Sequence, residues 1–261
     1  MSKRTEQAIV RPIKAGDWKY KQSKYSAVPP VPFRCLCSGR SAAGKGVLVT
    51  NVATDFYKDV FKKIYIFAST VNLDTTWQTI AHYCDRSLRQ SRLKEQFLFD
   101  EFDVGALLDI MKRQRRDITL QKAEEDRREL EGVLIIIDDF SDNSQLRLRS
   151  NGIVNRLMTQ GRHYGISLWI NVHSVNSLGP LARRQASVIV VFKVANHREY
   201  LGLREQFGQL LGLDAFDAAY EMAAGKESPP YSFLTIYPNA NDPNRMLMAR
   251  FDQWLEVDDT P

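Results

Sequence analysis

Residues 39–46 read GRSAAGKG. This is the spacing of a loop whose consecutive backbone N–H groups wrap an anion, with the lysine neutralising the outer phosphate oxygens and the next helix turning its positive end toward them. The context fits: the apolar run FRCLCS at 33–38 leads into the loop, and Val47, Leu48, Val49 and Val52 leave it as a helix. Gly39, Arg40, Ser41, Ala42, Ala43, Gly44, Lys45, Gly46 and Val47 are therefore the candidate nucleotide cradle. Gly46 stands where such loops carry a Ser or Thr that binds Mg²⁺. Its loss spares the main-chain donors and Lys45 and removes one metal ligand. Mg²⁺ prefers an octahedral shell of oxygens and retains water readily, so a water held by Asp138 or Ser41 is the expected substitute. A glycine opening the helix costs at most about 0.8–1 kcal/mol relative to alanine.

Three further stretches carry chemistry. LIIIDDF at 134–140 is a fully apolar strand ending in two carboxylates. There Asp138 can hold Mg²⁺ against a nucleotide and Asp139 can polarise a water for attack on the γ-phosphate; the same pair also suits the start of a turn through Asp142. The run TQGRHYGISLWINVHS at 159–174 is a second strand with a polar end. His173 at that end can touch the γ-phosphate or its water, or serve as a local hydrogen-bond partner. In LARRQA at 181–186, Arg183 or Arg184 can reach the phosphates of an adjacent subunit, or cap a solvated loop.

These residues need strands that end together. From residue 33 onward short apolar runs alternate with helical patterns, the signature of a mostly parallel α/β sheet flanked by helices. Strands are expected near 33–38, 63–69, 133–137, 166–172 and 188–193, with a closing pair near 232–237 and 246–251. The stretch 104–131 starts with Val104, Leu107, Leu108 and Met111 at helical spacing and becomes almost wholly charged. It reads as a solvated helix or helical pair projecting from the domain; its Lys112, Arg113, Arg115 and Arg116 are candidates to face DNA. Residues 1–32 read as a basic arm, with seven Lys/Arg against two acids and a Val-Pro-Pro-Val-Pro exit. Its Trp18, Tyr20 and Tyr25 among lysines suit stacking on bases, or pinning to the domain or a neighbouring subunit. The expected organisation is an arm at 1–32 and a single domain at 33–261.

Composition bounds the rest. The 261 residues carry 36 basic and 31 acidic side chains, a net charge of +5, which permits a nucleic-acid partner without requiring one. Three irregularly spaced cysteines make neither a disulfide framework nor a zinc site, so a reducing compartment is expected. The N-terminal stretch has no apolar signal core, and the longest apolar run, VLIII at 133–137, is far short of a membrane span. The protein is expected inside a cell or a particle, without a membrane partner.

The four elements, in this order, resemble the FtsK/HerA superfamily of ring-forming DNA-translocating ATPases, most closely the genome-packaging ATPases of large double-stranded DNA viruses, virophages and polinton-type elements. The resemblance covers roughly residues 33–252: GRSAAGKG is similar to the family's first phosphate motif (Walker A), LIIIDDF to its acidic strand (Walker B), GRHYGISLWINVHS to the stretch leading to its polar sensor, LGPLARRQASVIVVFK to its arginine-bearing loop and YSFLTIYP to its closing hairpin.

It implies a P-loop NTPase fold of RecA/ASCE type with a closing antiparallel hairpin, and ATP and Mg²⁺ as ligands. It implies Lys45 on the β/γ-phosphates, Asp138 on the metal and Asp139 as base, with Arg183, then Arg184, acting on a neighbour's site. His173 replaces the family's usual Gln, and Gly46 its Ser or Thr. Some nucleoside monophosphate kinases also read Gly-Lys-Gly, but they follow it with Thr where this chain has Val47, and they need a second lid for which the sequence offers no candidate. The function implied is an ATP-driven double-stranded DNA translocase. It would package a viral genome as a pentameric or hexameric ring against a capsid or portal vertex protein, in the host cytoplasm or nucleus or with the virion. A non-hydrolysing nucleotide-dependent scaffold and a cellular DNA pump or helicase are the alternatives.

Overall fold

The β-branched and aromatic runs of the sequence become strands buried on both faces, and the stretches between them become helices that cover those faces. The computed structural model describes residues 18–124, 128–140, 142–148, 151–210 and 212–256. In chain order it has β1 (Lys19–Tyr20), β2 (Arg34–Ser38), α1 (Lys45–Asn51), β3 (Phe61–Ala68), α2 (Thr75–Arg86), β4 (Leu98–Phe99), α3 (Val104–Ala123), β5 (Glu129–Leu130), β6 (Gly132–Asp138), α4 (Ser144–Arg147), α5 (Ile153–Gln160), β7 (Ile166–Val172), α6 (Pro180–Gln185), β8 (Val188–Phe192), α7 (His197–Phe207), α8 (Leu213–Ala224), β9 (Phe233–Ile236), β10 (Leu247–Ala249) and β11 (Gln253–Trp254).

Nine strands form one sheet in the order β11-β10-β9-β8-β2-β7-β6-β3-β4. From β8 to β4 every pair is parallel, and β9, β10 and β11 add antiparallel strands at the other side. Both faces of the parallel part are covered, which is why β2, β7 and β8 are buried at every position and β6 at all but its last, Asp138. The expected closing pair is present as β9 and β10. The two-residue strands β4 and β11 are additional and too short to show a pattern in sequence.

The central placement is that of β7, which pairs with β2 on one side and β6 on the other. Its register sets Val172 opposite Ser38 and Asn171 opposite Asp138. The strands that carry the loop, the acids and His173 therefore end level and side by side. The carboxyl ends of parallel strands are where α/β sheets bind their ligands.

Two expectations differ from what is observed. The stretch 104–131 does not project: α3 is one helix with Leu107, Ile110, Met111, Gln114, Ile118 and Gln121 buried along one face. The two glutamines satisfy the backbone of the approach to β6, Gln114 Nε2 donating to the Glu131 carbonyl at 3.0 Å and Gln121 Oε1 accepting from the Glu131 N–H at 2.8 Å. Polar side chains thus complete a stripe that looked solvated.

The described part of the arm is also joined to the domain. Val28 and Val31 lie in the core, the Tyr57 hydroxyl donates to the Pro29 carbonyl at 2.6 Å, and that of Tyr237 to the Ala27 carbonyl at 2.8 Å. Further out, β1 pairs in parallel with β5, and Tyr20 covers Gly165. Aromatics pin this segment to its own domain, so the packed body begins before residue 33. Residues 1–17 of the arm and 125–127 of the charged stretch lie outside the described residues.

Candidate functional site

The loop after β2 is shaped by close packing and by left-handed backbone. A Cβ on Gly39 would lie 2.8 Å from Cβ of Phe192 in β8, so only glycine lets the chain turn there. Gly44 has φ 104 and Ala42 φ 58, and no side chain caps α1. The first N–H groups of a helix have no partner within it, and among the described residues no side chain supplies one to α1. Lys45 folds back across this loop, Nζ donating to the carbonyls of Gly39 at 2.6 Å and Arg40 at 3.0 Å. Ser41 and Val47 are exposed at the rim.

Asp138 ends β6 inside the same site. Asn171 Nδ2 donates to its Oδ1 at 2.8 Å, and Asn171 Oδ1 in turn accepts from Trp169 Nε1 at 2.7 Å. Burial pushes the Asp138 carboxyl above its ordinary range; the Asn171 bond and the charge of Lys45 pull it down, while Asp139 and Asp74 push it up. Lys45 and Asp138 both also act on Cys37, a buried β2 thiol whose pKa burial raises far above the ordinary value. The loop after β2 and the acidic end of β6 thus lie on either side of the end of β7, at the carboxyl edge of the sheet.

The next residue, Asp139, has φ 57, a left-handed conformation that side chains bearing a Cβ adopt at a cost. Its Oδ1 lies 2.8 Å from His173 Nε2. His173 is thus a local partner of the candidate base, half-exposed at the mouth of the site. A bent-back carboxylate held by an imidazole at the rim can position a water and take its proton.

Three side chains that the motifs did not point to belong here. Asn171 reads as one polar position in an apolar strand; only pairing with β6 reveals its role. Thr76 opens α2 and sits against Gly46: a Cβ on Gly46 would lie 3.4 Å from both Thr76 Oγ1 and Cγ2. Tyr231 has φ 61, is 71% exposed, and covers Gly44, where a Cβ would lie 3.3 Å from its Cδ1. Together with Arg40, Ala43, Lys193 and Pro229 it lines a cleft of about 360 Å³ beside the loop.

Arg183 and Arg184 stand elsewhere. They line another cleft, of about 600 Å³, with Asn176 and Gln206. Arg183 Nη1 donates to Asn176 Oδ1 at 2.6 Å and Gln206 Oε1 at 3.2 Å, while its buried Nε has no partner among the described residues. Burial lowers the pKa of this guanidinium. Arg184 is exposed. Neither arginine lines the cleft beside the loop of its own chain.

A loop strand and an acidic strand separated by one inserted parallel strand, with a phosphate loop at the carboxyl edge, define the P-loop NTPase fold. Solved structures of that class resemble the chain. The genome packaging NTPase B204 from Sulfolobus turreted icosahedral virus 2 matches with TM-score 0.56 in its sulfate complex and 0.53 with ATP-gammaS, at 15% identity over 83% of this chain and 95% of that one. EssC (ATPases 2 and 3) from Geobacillus thermodenitrificans matches with TM-score 0.52 at 12% identity, over 87% of this chain and 40% of that one. No protein-family model matches the chain, and no curated protein matches it. The likeness is one of fold. Among the described residues, no helix is long and apolar enough to cross a membrane.

Proposed function

We propose that the chain is an ATP-hydrolysing motor that drives double-stranded DNA into a viral capsid. One observation carries the reading: the uncapped loop with Lys45, the partly buried Asp138 and the Asp139–His173 pair converge at the ends of three adjacent strands. The fold shared with the B204 packaging NTPase supports it.

In this reading the backbone of residues 40–46 cradles the phosphates. Lys45 exchanges the carbonyls of Gly39 and Arg40 for the β/γ-phosphates. The nucleoside lies in the cleft under Tyr231. The site suits a hard cation, since Asp138 offers a partly buried carboxylate of which Asn171 engages one oxygen. Bound Mg²⁺ would neutralise charge on the phosphates. Asp139 accepts the proton of the attacking water, and His173 holds that carboxylate in position. Arg183, or the exposed Arg184, completes the site of the next subunit in a pentameric or hexameric ring. That neither arginine lines the cleft beside its own loop supports a role toward a neighbour's site.

The ring would act on double-stranded DNA at a capsid or portal vertex, where virions assemble in the host cytoplasm or nucleus. The exposed face of α3, with Lys112, Arg115 and Arg116, is the candidate track for the DNA backbone. A second reading, a nucleotide-dependent assembly scaffold without turnover, is favoured by Gly46 alone.

ATP turnover with and without double-stranded DNA separates the two. The motor requires hydrolysis that rises with DNA in the wild type and falls at least a hundredfold in Lys45→Ala and Asp139→Asn. Nucleotide binding with no turnover, with or without DNA, would leave the scaffold.

A further inference from the structure

Gly46 removes the hydroxyl that a phosphate loop ordinarily offers to Mg²⁺, and another hydroxyl lies beside it. Thr76 sits in the first turn of α2, some thirty positions further along the chain, with Oγ1 and Cγ2 each 3.4 Å and Cβ 3.9 Å from where a Cβ of residue 46 would be. Residue 46 and Thr76 are thus direct neighbours, a Cβ at 46 making ordinary van der Waals contact with the threonine side chain.

Thr76 is well anchored and its hydroxyl is uncommitted. Asp74 caps α2, its Oδ1 accepting from the Thr76 N–H at 2.8 Å. The neighbouring Trp77 is buried, its Nε1 donating to Thr70 Oγ1 at 3.2 Å. Threonines inside the helices spend their hydroxyls on the carbonyl four residues back, as Thr50 does on Gly46 at 3.0 Å and Thr79 on Thr75 at 3.0 Å. Thr76, in a first turn, has no such helical carbonyl, and its hydroxyl makes no hydrogen bond among the described residues. The turn into α2 leaves β3 at Ala68, which pairs in register with Asp138, so the start of α2 lies beside the tip of the acidic strand.

We propose that Thr76 supplies from α2 the hydroxyl ligand that Gly46 lacks, so that the cation of the nucleotide complex is held between Thr76 and Asp138. This rests on the reading of residues 39–46 as a Mg²⁺-nucleotide site. It replaces the expected water held by Asp138 or Ser41 with a protein ligand, and it makes α2 part of the site.

The test is binding of a fluorescent ATP analogue, first in EDTA and then across a Mg²⁺ titration, in wild type, Thr76→Val, Thr76→Ser and the double variant Gly46→Ser/Thr76→Ala. Valine keeps the shape and removes the hydroxyl. The expected result is an unchanged dissociation constant in EDTA and a Mg²⁺ half-saturation raised about tenfold or more in Thr76→Val, the scale typical of losing a group that supports a metal. Thr76→Ser should titrate like wild type, and the double variant should recover most of the loss by returning the hydroxyl to the loop. A Mg²⁺ titration of Thr76→Val that overlays the wild type overturns the proposal, as does an equal loss of affinity in EDTA, which would make Thr76 a packing residue. Absence of nucleotide binding by the wild type under both conditions would instead overturn the reading of the loop itself.

Discussion

Asn171 and Asp138 face each other in register on adjacent parallel strands, joined by a hydrogen bond of 2.8 Å from the amide to the carboxylate. Asn171 is 1% exposed and passes its other contact, through Oδ1, to Trp169. The carboxylate that a cation would seek is therefore oriented by a buried chain of donors before any ligand arrives.

Removing that donor should be felt twice. Asn171→Ala leaves a partly buried carboxylate without its amide, a loss of about 1–3 kcal/mol that a denaturant titration would register. The same change deprives Asp138 of a bond that lowers its pKa, so the carboxyl should hold its proton to higher pH. Stability equal to wild type would mean that water replaces the amide at no cost.

His173 is placed to hold Asp139. His173→Ala should lower turnover by about tenfold to a hundredfold while leaving nucleotide affinity within a factor of two, the signature of a group that matters only in the reaction. His173→Gln, which restores a donor of similar reach, should recover much of the rate. A parallel loss of affinity would assign His173 to ground-state binding instead.

The position of Arg183 away from Lys45 of its own chain gives a complementation test. Arg183→Ala and Lys45→Ala subunits should each be inactive as pure rings. Mixed together they should regain part of the ATP turnover, because some interfaces then join an intact loop to an intact arginine. If mixing restores nothing while the Arg183→Ala protein is folded, Arg183 serves only its bonds to Asn176 and Gln206.

Arg204 meets Asp217 through two bonds from Nε, at 2.7 and 2.9 Å, and Tyr200 also donates to that carboxylate. The Arg204 bond, together with that of Tyr200, holds the Asp217 carboxyl below its ordinary range despite the opposing effect of partial burial. A carboxyl held low in the folded state adds stability above its unfolded pKa and loses it as the pH falls through the lowered value. Asp217→Asn should therefore reduce the Tm by a few degrees at most at neutral pH, since the pair is partly open to solvent, which screens it. The difference should close below the ordinary carboxylate range. A gap that persists at low pH would mean that packing, not charge, is lost.

Much of this was legible in the chain. The core strands announced themselves because a strand covered on both faces must be apolar throughout, and β2, β6, β7 and β8 are. The loop was legible because a phosphate cradle needs small residues and a lysine at fixed spacing, and Asp138 because a charge is affordable only where such a strand emerges. The closing strands β9 and β10 showed for similar reasons. The buried face of α3 did not, since Gln114 and Gln121 are polar in sequence and earn their burial only through the backbone of Glu131.

The amino-acid order by itself determined which segments form strands and helices and which residues could do phosphate chemistry, because those properties depend on neighbours a few positions away. Tertiary structure alone decided that β7 runs between β2 and β6, that Asn171 meets Asp138, that Tyr231 covers Gly44 and that Thr76 stands against Gly46. Each joins residues far apart along the chain. Such contacts follow from how sheet and helices pack together, which no local pattern of side chains records.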